Sequence, residues 1–427
     1  MRAMSARRVL PLRLGLCLSL SLAATQPACQ FEIDGENRLT SLRLGLLGPS
    51  ENELGTPTNR VRPQVMRFSV DALDSQGALM PVNSTVQAFF VAGGSRLPLR
   101  NPCALVGNVS ETPDWLLTQF SLVGGHAPIV TLPLTTPAIF GRVTLNIEEP
   151  QSLAEGATPP IFFPNPTIPQ IMKPLDPSAQ NASYCQPFLN RQVVFDQASS
   201  EQGSLVVSSV FQSGLAVSDT AAADYNSIYV FTFGRPPTSI VKGRVLDRLA
   251  GAIAKFNGMT QVANPTMAAN DLVDLTLVPQ PIELSADRRP AQDPTAGENR
   301  WLTRHIAAPV RITGIVCEAS LDDSRSDNWN RYNTVVINQT GDGKPDSVNG
   351  CGGVNSTMYI PPTRFNVQFP GKGVGGFDPA MQAGQEVTIT GMLQNSVSRS
   401  GKTLFWTVVV RDQSDICLKP RAMCLGG

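Results

Sequence analysis

Short segments in which apolar residues alternate with polar ones constrain this chain more than any other feature. In Val65-Met-Arg-Phe-Ser-Val-Asp-Ala72 the apolar set falls on every second position, and a turn signal, Asp74-Ser-Gln-Gly77, follows at once. Period two puts successive side chains on opposite faces of a strand, so a segment of this kind buries one face only against another sheet or in a closed barrel. Thr85–Ala92, Ile129–Leu134, Gly141–Ile147 and Pro160–Phe163 continue the theme, and 35 glycines and 35 prolines punctuate the 427 residues. Many short strands joined by turns predict an all-β chain, and its length allows several domains.

The first residues have the composition of a targeting signal. Arg2, Arg7, Arg8 and Arg13 precede the apolar run Leu14–Ala24, which is too short to remain across a bilayer. Gln26-Pro-Ala-Cys29 resembles the lipobox of bacterial lipoproteins, in which a small residue precedes the cysteine that receives lipid. Ala28 and Cys29 match that pattern; Gln26 and Pro27 depart from it. The resemblance implies a signal peptide over 1–28 and an N-terminal lipid on Cys29, and Gln30 in the next position looks like the outer-membrane form of the signal. A plain signal-peptidase cut, giving a periplasmic or secreted chain, is the alternative.

Parity of the cysteines bears on the same choice. With Cys17 removed and Cys29 lipidated, six remain: Cys103, Cys185, Cys317, Cys351, Cys417 and Cys424. An even set in an oxidising compartment suits disulfides. Cys103–Cys185, Cys317–Cys351 and Cys417–Cys424 are candidate pairings among the fifteen connectivities, with a crossed Cys351–Cys417 bond as the alternative. Loss of residues 1–28 leaves 30 basic against 34 acidic residues, a net charge of −4. That sign makes nucleic acid an unfavourable partner.

Three folded regions are expected. Residues 29–170 resemble a bacterial immunoglobulin-like β-sandwich, without the disulfide and tryptophan pin of antibody domains; Trp115 is read as part of a polar loop. A Pro/Asn/Ser-rich linker covers 171–189. In 190–285, Ser204–Asp219 reads as two strands broken at Gly214. Ile228–Phe233, Ile240–Asp247 and Ile253–Val262 follow. This order, with the phrase Phe256-Asn-Gly-Met-Thr-Gln261, resembles the OB-fold modules that accompany some extracellular bacterial nucleases. After a second linker over 286–304, residues 305–427 repeat the theme. Val310–Val316, Asn333–Asn338, Thr357–Ile360, Ala383–Leu393 and Thr403–Val410 predict a second OB-like barrel with a C-terminal tail.

Chemistry is sparse. His126 and His305 are the two histidines, far apart and read as surface or loop residues, and motifs for zinc, serine nucleophiles or phosphate loops are missing. The expectation is a chain that is not an enzyme. Asn338, Thr340, Asp342, Lys344 (through its carbonyl) and Asp346 resemble a calcium-wrapping loop, short of acids for tight binding; a Gly-Asp hairpin loop is the alternative, and no other cofactor is implied. Tyr229, Phe231 and Phe233 alternate, which suits either core packing or a platform for stacking bases, with Arg235, Lys242 and Arg244 as nearby cations. Function is therefore expected to be that of a non-catalytic envelope lipoprotein, a scaffold or recognition module for protein or glycan. The alternatives are an accessory protein binding oligonucleotide or oligosaccharide through its OB-fold loops, and a secreted hydrolase with an unfamiliar site.

Overall fold

The computed structural model describes residues 38–48, 64–98, 115–134, 138–174, 187–197, 202–291, 293, 295–317, 329, 333–339, 365–397, 404–418 and 424. The architecture is all-β: an N-terminal sheet region followed by two closed barrels.

The N-terminal region holds β1 (Ser41–Gly48), β2 (Val65–Leu73), β3 (Ser84–Ala92), β4 (Ser95–Arg96), β5 (Thr118–Leu122), β6 (His126–Pro133), β7 (Gly141–Glu149), β8 (Ala154–Ala157) and β9 (Ile161–Phe163). Hydrogen bonds run in the order β4-β3-β7-β8-β1-β2-β6, with β5 beside β3 and β9 beside β7. The two faces of the sandwich are thus one continuous sheet, because β8 links β7 to β1 through a single parallel pairing, Ser41 with Glu155. The alternating residues behave as their spacing requires: Met66, Phe68, Val70 and Ala72 are all fully buried. They join Phe90, Leu132, Leu145 and Ile147 in one core, and Phe68 meets Phe120 of β5 edge-on at 5.8 Å. Trp115 lies outside the strands, as the sequence reading has it, and packs edge-on to Phe89 at 5.2 Å, with the Arg96 guanidinium 4.1 Å from both rings.

The first barrel is built from β11 (Leu205–Phe211), β12 (Gly214–Asp219), β13 (Ser227–Phe231), β14 (Arg244–Phe256) and β15 (Met259–Val273), with β10 (Gln192–Asp196) added on β14. It closes as β11-β12-β13-β15-β14-β11, every pair antiparallel except β13–β15. In place of the two strands expected over 240–262, one thirteen-residue strand turns at Asn257-Gly258 into an even longer partner. Ala250-Gly251-Ala252 and the bulges around it blur the period there. Asn257 and Gly258 both have positive φ, as a tight two-residue hairpin turn requires.

The second barrel contains β16 (Ile282–Leu284), β17 (Pro309–Val316), β18 (Thr334–Asn338), β19 (Phe365–Gln368), β20 (Glu386–Val397), β21 (Leu404–Val409) and β22 (Ile416–Cys417). Its closure, β17-β18-β19-β21-β20-β17 with β19–β21 parallel, repeats that of the first barrel strand for strand. The third barrel strand is β19; Thr357–Ile360, the segment expected there, lies outside the described residues. β16 runs parallel to β17, so residues 282–284 belong to this sheet and not to the first barrel.

The linker readings are corrected where the chain is described. Helix α1 (Ile168–Met172), opened by a Thr167/Gln170 capping box, buries Ile168, Ile171 and Met172 in the barrel core, where Phe188 joins them. Helix α2 (Gly297–Thr303) buries Asn299 and Leu302. The cores of the two barrels and these flanking residues form one contiguous apolar cluster, separate from that of the N-terminal region. Arg191 also ties the regions together, donating to the Ala138 carbonyl and lying 3.9 Å from the Phe140 ring. Burial pulls its guanidinium down to about 10.

Candidate functional site: a cleft between two barrels

Strand register decides which side chains the barrels show each other. On β13, Ile228 and Val230 are fully buried and face Val217 and Leu215 across the β12 pairing. Tyr229 and Phe231 therefore stand on the opposite, outer face, where Gln261 of β15 is paired beside Tyr229. Gly214 leaves room for the ring, since a Cβ there would come within 2.6 Å of the Tyr229 oxygen. On β20, Leu393 is buried inside while Met392 and Gln394 face outward, paired with Val409 and Thr407. These two outer faces enclose a cleft of about 420 Å³. Its size lies in the range of ligand pockets.

Rings and amides dominate the lining. Phe211, Tyr229, Phe231 and Phe256 come from the first barrel and Phe369 from the second. Gln212, Gln261, Asn333, Gln368 and Gln394 supply primary amides, and Ser213 sits 3.3 Å from the Tyr229 hydroxyl. Among the described residues two ionisable groups line it, Tyr229 and Arg411. Burial pushes the phenol up, so it stays neutral. The Arg411 guanidinium is held by the buried Asp415 carboxylate through Nε at 2.7 Å and through a second, shorter contact, and is raised accordingly. Lys242, on the β13–β14 connection, is lowered by its own burial and by Arg411.

The aromatic triplet of the sequence reading divides. Tyr229 and Phe231 line the cleft from the outer face and are not the barrel's interior packing. Phe233 lies beyond the end of β13 with a positive φ, which breaks the alternation. Its ring lies 4.5 Å from that of Phe231, tilted by 56°, and is 69 % exposed. Of the nearby cations, Arg244 donates to the carbonyls of Ser239, Asn270 and Asp271. Sequence reasoning passed over Gln212, Gln368, Gln394 and Phe369, because nothing local marks an outward amide as facing another domain. The phrase Phe256–Gln261 was a usable signal: it forms the β14–β15 turn and brings Phe256, Met259 and Gln261 to the cleft.

The remaining candidates are scattered. Asn338 ends β18 as a buried residue; Thr340, Asp342, Lys344 and Asp346 lie outside the described residues. Among the described residues no group of three or more His, Cys, Asp or Glu is placed to hold a metal ion. Cys417 is bonded to Cys424, the pairing expected from their spacing. Cys317 is also disulfide-bonded. Cys29, Cys103, Cys185 and Cys351 lie outside the described residues. His126 is exposed beside Asp71, whose carboxyl is lowered chiefly by the hydrogen bond from Arg43 at 3.1 Å. His305 lies in the turn after α2, as a loop residue but not a surface one: it is buried, lies 4.5 Å from the Trp301 ring, and is held neutral mainly by burial. Compared with protein-family models, with curated proteins and with solved structures, the chain matches none of them.

Proposed function

We propose that this chain is a non-catalytic recognition module of a bacterial cell envelope, which binds a protein or glycan partner in the cleft between its barrels. One observation carries the reading: the cleft is lined by rings and amides, and both ionisable groups among its described residues are kept out of proton transfer near neutral pH. General acid–base catalysis needs a group that titrates near the working pH. A neutral pocket with a few placed polar groups serves binding instead. Residues 1–28 and the Ala28-Cys29 pair support export and lipid attachment, so the cleft would work at a membrane surface outside the cytosol.

Two measurements test this. Mass spectrometry of the mature chain should give an N-terminal Cys29 carrying lipid, and Cys29→Ser should release the protein from membranes; an unlipidated N-terminus at another residue overturns the anchor. The purified protein should bind isolated cell envelopes saturably while leaving chromogenic glycoside, ester and phosphate substrates untouched. Turnover that disappears in Phe231→Ala would replace this reading by the hydrolase.

A second reading, stacking of single-stranded nucleic acid, has the exposed Phe233 beside the half-buried Phe231 in its favour. Binding of an oligonucleotide that survives physiological salt would support it; binding that vanishes there removes it.

A further inference from the structure

We propose that the inter-barrel cleft is a binding site for a neutral oligosaccharide. The inference rests on the recognition reading and narrows its partner. A sugar ring has two kinds of surface, a patch of C–H groups and a rim of hydroxyls, and the cleft has a counterpart for each. Phe211, Phe231 and Phe256 present ring surface of the sort that packs on C–H groups at little conformational cost, with the buried Tyr229 and Phe369 behind them. Gln212, Gln261, Asn333, Gln368 and Gln394 each offer a two-donor nitrogen and an acceptor oxygen in one plane. A hydroxyl both donates and accepts, so neighbouring hydroxyls satisfy both ends of one amide.

Placement strengthens the match. Gln261 and Gln394 stand on strands paired on both sides, β15 between β13 and β14, and β20 between β17 and β21. Their backbones are fixed before any ligand arrives, which lowers the ordering cost of binding. The same pairing argues against an extended peptide. Adding a peptide strand needs an unpaired sheet edge, and β13, β15, β20 and β21 have both edges occupied. Charge argues against an anionic sugar or a phosphate, because the one cation on the wall among the described residues, Arg411, is already bound to Asp415. A ligand bringing its own negative charge would have to compete with that carboxylate.

The experiment uses the mature chain with Cys29→Ser for solubility. Its probes are a printed array of neutral and anionic oligosaccharides and isolated cell envelopes treated with periodate, which cleaves vicinal diols, or with protease. The expected result is array binding confined to neutral saccharides and little changed by salt, with envelope binding lost after periodate and kept after protease. Tryptophan emission of the unmutated protein should change on adding the array hit, since Trp329 packs on Phe369 at 5.5 Å. Calorimetry with that saccharide should show affinity falling by roughly tenfold or more in Phe231→Ala and in Gln394→Ala, the loss of one well-placed contact. Val123→Ala, on the exposed surface of the N-terminal region, should leave it unchanged. Binding only to anionic saccharides, or affinity indifferent to both cleft variants, overturns the proposal. Envelope binding that survives periodate but not protease also overturns it and leaves a protein partner, with the recognition reading intact. Absence of any saturable envelope binding removes the recognition reading and this proposal together.

Discussion

The two barrels share one topology and an aliphatic lining and differ in the aromatic residues that the second adds. The first is lined by aliphatic side chains such as Val207, Leu215, Val217, Ile228, Val230 and Val262, and carries Lys255 on β14. The second is built around Trp406 and Phe365, and the Trp406 indole donates to Asn299 of α2 at 2.9 Å. An aromatic cluster of Trp329, Phe369 and Phe377 flanks it. What they have in common is a glycine in the fourth barrel strand. A Cβ on Gly251 would come 2.7 Å from the Ala263 carbonyl, and one on Gly391 2.5 Å from the Val409 carbonyl. Closing a five-stranded sheet needs a sharply coiled strand at that point, and only a bare backbone lets its neighbour come so near. Closure therefore depends on strand order and a few backbone contacts, while core identity is free to vary.

The largest expected effect falls on the second barrel. Trp406→Ala removes a fully buried ring and one of the hydrogen bonds that the Asn299 Oδ1 accepts, costing about 3–5 kcal/mol in denaturant unfolding. Because the cores are contiguous, hydrogen-exchange protection should fall over 205–273 as well as over 309–409; full protection of the first barrel would show two independent folding units.

The next test belongs to the first barrel. Burial holds the Lys255 ammonium down to about 7, against 10.5 for a free lysine. Between those values the unfolded chain binds a proton that the folded chain has released, so stability should rise as pH goes from 7 to 10.5. Below 7 the folded protein must carry the buried charge and the cost is complete. The slope is about 1 kcal/mol per pH unit, and Lys255→Met should flatten it. Identical pH profiles for both proteins would place Lys255 in water.

Gly251→Ala and Gly391→Ala should each cost about 1–3 kcal/mol, with similar losses in the two barrels. A large cost in one and none in the other would break the equivalence. The smallest effect is expected from Asp224→Ala. Its pair with Arg304 at 3.5 Å crosses from the first barrel to the end of α2, but both side chains are about half exposed. Less than about 1 kcal/mol should be lost. A greater loss would mean that charge, and not the shared core, holds the barrels together.

What the sequence determined by itself is local. Alternation at Met66, Phe68, Val70 and Ala72, or at Ile228 and Val230, marks a strand and names its two faces, because period two belongs to a single extended segment. The Cys417–Cys424 bond was legible for the same reason, since seven residues keep the two thiols close in any fold. Tertiary structure alone decided which face of β13 is the interior: Tyr229 is as large and ring-bearing as a core residue, and it is buried too, but on the outer face, against Phe211 and in the wall of the cleft between the barrels. It also decided that Met172 and Phe188 pack in a core when their surroundings read as linker, and that amides from distant strands meet across one cleft. Burial outside a barrel depends on where a second domain comes to rest, and that is fixed by contacts between segments far apart in the chain, which no local period records.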